Sequence, residues 1–208
     1  MVHISDGVLP LPTLAAGWAV TAALLVLTLR KLRAEDVPKL SVMTAAFFVA
    51  SLIHFPVGPT SVHLIFNGLV GVILGTLSYP AIFIGLVLQA ILFGHGGITV
   101  IGVNALDMGV PALVIGVLFG RWVKNSLSVE RAAALGAVLG GIAVTLAVAL
   151  TAFMLYTAGK ELVGVIAALV LFHIPVIVVE AAVTGVVVGF LLRVKPEVLG
   201  VKVVEVGA

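Results

Sequence analysis

Residues 162–192 read LVGVIAALVLFHIPVIVVEAAVTGVVVGFLL. His173 and Glu180 are the only titratable side chains in this run. A helix that crosses a bilayer needs about 20 consecutive apolar residues, and this run exceeds that. Moving outward, comparable runs lie near 132–156 and 11–29. Shorter ones lie near 40–54, 62–78, 80–93 and 105–120. The reading is an all-α polytopic membrane protein of about seven transmembrane helices. Six is the other count the pattern allows, because 80–93 is short and bounded by Pro80 and Gly94.

Composition supports the same class. Hydrophobic residues make up 62% of the 208 and charged residues 10%, with a mean hydropathy of +1.34. A soluble domain of this size cannot hide so much apolar surface. The pI near 9.2 does not point to nucleic acid, because the basic residues are few and confined to loops. Cysteine is absent, which excludes disulfide frameworks, zinc–thiolate sites and iron–sulfur clusters.

Charge sets the expected orientation. With seven spans, Arg30, Lys31, Arg33 and Lys39 fall in one loop, and Arg121, Lys124 and Arg131 in another on the same side. Arg193, Lys195 and Lys202 follow the last span, also on that side; only Lys160 lies opposite, so 10 of the 11 basic residues share a face. The positive-inside rule then puts the C-terminus in the cytoplasm and the N-terminus outside. The organisation expected is one integral membrane domain over 1–208. It comprises an extracellular head at 1–10, a bundle at 11–192 and a cytoplasmic tail at 193–208.

The head, Met1-Val2-His3-Ile4-Ser5-Asp6-Gly7, places an imidazole close to a free α-amine and to backbone amides. Such all-nitrogen, tetragonal surroundings suit Ni(II) or Cu(II) rather than Mg, Ca or Mn. On the expected topology all five histidines fall in the outer half: His3, His54, His63, His95 and His173. Neutral imidazole is the commonest metal ligand, and ionisable groups within a membrane are functional candidates by default. Two readings stand for His54 and His95, interfacial hydrogen-bonder or ligand, and likewise for His173, which can instead bond a neighbouring helix. Glu180 reads as an interhelical hydrogen-bond partner. Asn104 and Asp107 read as N-cap residues of the fifth span. Small residues spaced by four (Ala15, Ala19 and Ala23; Gly71 and Gly75; Gly116 and Gly120; Gly136 and Gly140; Gly185 and Gly189) let helix backbones approach closely in lipid.

No phosphate-binding loop is present; Gly159-Lys160 is followed by Glu161. Neither H-E-x-x-H nor G-x-S-x-G occurs. The chain reads as a membrane protein with a metal-binding head, with no nucleotide-hydrolysis motif and no visible energy source of its own. The rival reading is a self-contained divalent-cation channel or proton-coupled transporter that uses Glu180 and His173 as a polar pathway.

The head His3-Ile4-Ser5-Asp6-Gly7-Val8-Leu9 resembles the N-terminal signature of the CbiM/NikM family. These are the substrate-capture (S) subunits of energy-coupling-factor cobalt and nickel transporters. The similarity continues through Phe55-Pro56-Val57-Gly58-Pro59-Thr60-Ser61-Val62-His63-Leu64 and Leu92-Phe93-Gly94-His95-Gly96-Gly97-Ile98-Thr99 with Gly102, Asn104 and Met108. It extends to His173-Ile174-Pro175, Glu180, Thr184 and Leu192-Arg193-Val194. The resemblance implies a seven-helix bundle with the N-terminus inserted into it. It implies metal ligands at Val2, His3 and His63, with Met1 joining if it is retained, and surroundings that include Asp6, His54, His95 and His173. This chain departs in carrying Val2 before the histidine, and removal of Met1 would restore the family spacing. The implied cargo is Ni2+ or Co2+, a substrate and not a catalytic cofactor. The implied partners are a membrane coupling (T/Q) subunit, two cytoplasmic ATPase subunits and a small accessory membrane subunit. The implied place is the inner or plasma membrane of a prokaryotic cell.

Overall fold

A computed structural model describes residues 3–52, 54–57, 60–123 and 128–200, without the side chains of 54–57 and 60–62. Among them are seven α-helices and one short hairpin. The helices are α1 (Leu11–Leu29), α2 (Val37–Ala50), α3 (Asn67–Leu74), α4 (Ser78–Phe93), α5 (Ile101–Val123), α6 (Val129–Ala158) and α7 (Val163–Val194). The hairpin pairs β1 (His54–Val57) with β2 (Thr60–His63), antiparallel, with His54 opposite His63. The protein is an all-α polytopic membrane fold, and large apolar side chains such as Leu11, Val186 and Leu171 stand exposed on its outer surface.

Several expected boundaries move. The third span, expected at 62–78, starts as a helix only at Asn67, and the second ends at Ala50 instead of 54. The residues between carry Pro56, which disfavours helix, and β-branched Val57, Thr60 and Val62, which favour a pleated ribbon. The expected break at Tyr79–Pro80 also moves. Pro80 sits in the first turn of α4, where helix amides have no intrahelical acceptor to lose. The chain instead turns at Gly75, whose φ of 57° suits glycine.

That turn reverses direction. Asn67 Nδ2 donates to the Met108 carbonyl (3.4 Å), and Gly71 and Gly75 approach Ala112 and Gly116, so α3 runs alongside α5 in the same sense. Tyr79 then packs on Gly109, earlier along α5. Residues 67–93 form a 27-residue apolar stretch, yet they fold as a hairpin of helices. All eight residues of α3 are buried. At about 1.5 Å per residue it is only about 12 Å long, which suffices because other helices surround it. Among the single helices, α1, α5, α6 and α7 have membrane-spanning length.

Close backbone approaches set the bundle. A Cβ built on Gly116 would lie 2.3 Å from the Gly71 carbonyl oxygen, and one on Gly140 2.7 Å from the Thr184 hydroxyl. Gly71, Gly116, Gly136, Gly140 and Gly185 thus serve internal packing, whereas Gly120 faces open space. Ala15, Ala19 and Ala23 are exposed, and α1 buries Gly17, Thr21 and Thr28 instead.

The ends of the bundle differ. Arg193 at the close of α7 pairs with Glu130 at the opening of α6 (3.7 Å), and Lys39 Nζ donates to the Val198 carbonyl (3.3 Å). These links gather the basic segments at one end. The head, the β-hairpin and the loop at 94–100 gather at the other.

Candidate metal centre

The head is held in place residue by residue. The Ile4 amide donates to Asn104 Oδ1 (2.8 Å), and Asn104 Nδ2 donates to the Ile4 carbonyl (3.1 Å). Two residues on, the Asp6 amide donates to the Gly96 carbonyl (2.8 Å). Asp6 Oδ1 accepts from the Thr99 hydroxyl (2.6 Å) and the Val100 amide (3.2 Å). Gly97 adopts a φ of 123°, and a Cβ there would overlap the Asp6 carboxylate at 2.1 Å; only glycine lets the head lie so close. The expectation that Asn104 caps the fifth helix is corrected. Helix α5 begins at Ile101, and Asn104 spends both side-chain atoms on Ile4. Asp107 lies deeper in α5, fully buried, and accepts from the Thr151 hydroxyl (3.1 Å).

These anchors bring His3 against His63. The ring centroids are 5.6 Å apart at an interplanar angle of 74°, and the two residues are 2% and 4% exposed. His63 Nδ1 donates to its neighbour's carbonyl at Leu64. This fixes the tautomer and leaves the Nε2 lone pair available. His63 Nε2 and both ring nitrogens of His3 have no hydrogen-bond partner among the described residues. Buried polar atoms seldom go unpaired without a functional cause. Burial, together with His63, holds the His3 imidazole well below its ordinary range. Burial does the same to His63, aided by the nearby His173 and His95. Both rings are therefore neutral at pH 7, the form that binds metal.

The other expected residues divide. His173 is fully buried in α7, donates from Nδ1 to the Leu169 carbonyl (2.7 Å) and leaves Nε2 without a partner among the described residues. His95 stacks against Phe93, with ring centroids 5.9 Å apart. Asp6 anchors the head and makes no hydrogen bond to either histidine among those described. His54 stands opposite His63 in the hairpin, but its side chain, like all of Met1 and Val2, lies outside the described residues. Among the described residues, no three His, Cys, Asp or Glu side chains converge on one point. Any ion held between His3 and His63 must take its remaining ligands from elsewhere.

Glu180 was expected to bond a neighbouring helix. Its partners are instead main-chain groups outside any helix: its carboxylate accepts from the Ile65 amide and from the Phe66 amide (2.8 and 2.9 Å to its two oxygens), just past His63. No local pattern in the sequence signals that pairing, because the partners are more than a hundred residues apart.

Residues 3–198 match the family model for CbiM, the cobalt uptake substrate-specific transmembrane region. A Haemophilus influenzae protein named for metal transport is 38% identical over 199 residues, covering 95% of this chain and 97% of its own length. The cobalt transport protein CbiM of Geobacter sulfurreducens is 29% identical over 215 residues, covering 95% of this chain and 61% of its own. A crystal structure of a truncated transition metal transporter shares the fold. Its TM-score is 0.78 at 24% identity, over 92% of this chain and 98% of that one.

Proposed function

This chain belongs to the CbiM family of cobalt and nickel transport components, and we propose on that basis that it captures Ni2+ or Co2+ between His3 and His63. The carrying observation is the buried imidazole pair, 5.6 Å apart, with three ring nitrogens lacking hydrogen-bond partners among the described residues. Two imidazoles fill two positions. The N-terminal amine and a backbone nitrogen of the head complete a planar nitrogen set, supplied by Val2 and His3 once Met1 is removed, or with Met1 if it is retained. Such a set favours late first-row ions over Mg2+ and Ca2+, which prefer oxygen.

The chain is an integral membrane protein of a transport family. The finer reading puts it in the prokaryotic plasma membrane with the basic end inward and the metal site outward. Ions enter from outside, shed water and displace protons. Release inward requires a second state of much lower affinity. Shifting a two-state equilibrium from 1:99 to 99:1 takes about 5.5 kcal/mol of differential binding. The chain has no phosphate-binding loop to supply that energy, so the reading assigns it to ATPase subunits acting through a coupling subunit. His95 and His173 surround the site without completing it.

The test is metal titration of the purified chain with a native N-terminus and with a short uncleavable N-terminal extension. An extension turns the amine into an amide and should abolish tight Ni2+ or Co2+ binding, while an equal C-terminal extension should not. Undiminished binding by the extended chain would remove the amine from the site. Metal uptake by cells that express this chain without any ATPase partner would favour the channel reading instead.

A further inference from the structure

The stretch between His63 and α3 is not helical, although it lies inside the bundle. Leu64, Ile65 and Phe66 connect β2 to α3, and Ile65 is fully buried. Backbone amides in such a place need acceptors, because no water is there to supply them. Glu180 is the acceptor. Its carboxylate receives the Ile65 amide on Oε1 and the Phe66 amide on both oxygens. Glu180 is itself fully buried, on the face of α7 that also carries His173 two turns earlier.

Phe66 adopts φ 56° and ψ 16°, the left-handed region. Among the described residues it is the only non-glycine with a positive φ. An aromatic residue is strained in that region and stays there only when its surroundings hold it. Phe66 also opens α3, its carbonyl accepting from the Val70 amide (2.8 Å). The Glu180 carboxylate therefore sits at the N-terminus of α3, where a negative charge is favoured. Three residues upstream is His63, its ring tied to Leu64, the first residue of the same connection.

We infer that Glu180 is a positioning residue for the metal site: it holds the Ile65–Phe66 turn that aims His63, and so ties metal affinity to the seating of α7. The inference rests on the reading of His63 as a ligand. A movement of α7 that withdraws the carboxylate by one hydrogen-bond length would free two buried amides, relax Phe66 and let His63 leave its partner. The other end of α7 is joined to α6 through Arg193 and Glu130, so a displacement begun at the basic end can reach the site along one rigid helix.

The experiment is Ni2+ titration of the full chain with its native N-terminus, for wild type, Glu180→Ala, Glu180→Gln, the double variant Glu180→Ala with Phe66→Gly, and His63→Ala. Loss of a group that orients a metal ligand typically weakens binding about 10- to 100-fold, and Glu180→Ala should fall in that range. Gln retains one acceptor oxygen and should recover part of the loss. Phe66→Gly should also recover part, because glycine adopts the left-handed turn without support; simple loss of packing around residue 180 would not be relieved by a change at residue 66. If Glu180→Ala does not fold, Glu180→Gln with and without Phe66→Gly makes the same comparison. Wild-type affinity in the Glu180 variants beside lost binding in His63→Ala overturns the inference and leaves the site standing. A loss in Glu180→Ala that neither Gln nor Phe66→Gly relieves also overturns it. Wild-type affinity in His63→Ala overturns both.

Discussion

Asn104 and Ile4 exchange two hydrogen bonds, amide to side-chain oxygen and side-chain nitrogen to carbonyl, at 2.8 and 3.1 Å. The pair imitates one rung of an antiparallel ladder, with an asparagine standing in for the second strand. It fixes the residue that directly follows His3.

Replacing Asn104 with Ala should leave both polar groups of Ile4 buried and unpaired. Such groups cost about 1–3 kcal/mol each. Strain of that size falls on the head and not on the helix bundle, so the chain should still fold. Metal affinity should drop about 10- to 100-fold, as for other groups that orient a ligand. Metal titration beside thermal unfolding checks it; a large fall in unfolding temperature with unchanged affinity would be the wrong pattern.

Helix packing gives a paired test. Gly116 lies against the Gly71 carbonyl, where a Cβ would come within 2.3 Å, whereas nothing lies within 4 Å of a Cβ on Gly120. Gly116→Leu should separate α3 from α5 and abolish monodisperse protein in detergent. Gly120→Leu, four residues along the same helix, should be tolerated. Size-exclusion profiles and thermal unfolding of the two variants make the comparison.

Binding should depend on pH in two stages. A terminal amine has a reference pKa of about 7.7–8.0, so its protonation should steepen the fall in affinity by about tenfold per unit as pH drops below about 8. Burial holds His3 and His63 well below about 6.5, so their share of proton competition should begin only well under that value. The metal-free fold should also lose stability as pH falls below about 6.5, because the unfolded chain takes up protons that the buried rings refuse. Titrations from pH 9 to 5 check the first statement and unfolding curves the second. A single step centred near 6.5 would contradict the account.

Much of this was legible beforehand, for physical reasons. Helices α1, α6 and α7 announce themselves by apolar length, and the basic end by charge, whereas α5 is longer than the 105–120 expected. Glycine spacing signalled close backbone approach, but not that Gly71 meets Gly116. The pairing of His3 with His63 was readable through resemblance, since no local rule joins residues sixty positions apart. The hairpin at 54–63 and the fold-back at Gly75 were hidden because short apolar runs look alike as strand, helix or bend. Asn104 and Glu180 resemble a cap and an interhelical bond in sequence. Their real partners, Ile4 and the Ile65–Phe66 amides, are long-range main-chain groups that leave no periodic trace.

The central claim is that one Ni2+ ion lies between His3 and His63 in a shell of nitrogens. X-ray absorption at the nickel edge of the loaded chain, with its native N-terminus, tests it most directly. The account predicts a four-coordinate planar shell of nitrogen, with the outer-shell scattering of two imidazoles in wild type and of one or none in His63→Ala. A six-coordinate, oxygen-rich shell, or a wild-type spectrum unchanged by His63→Ala, would contradict it.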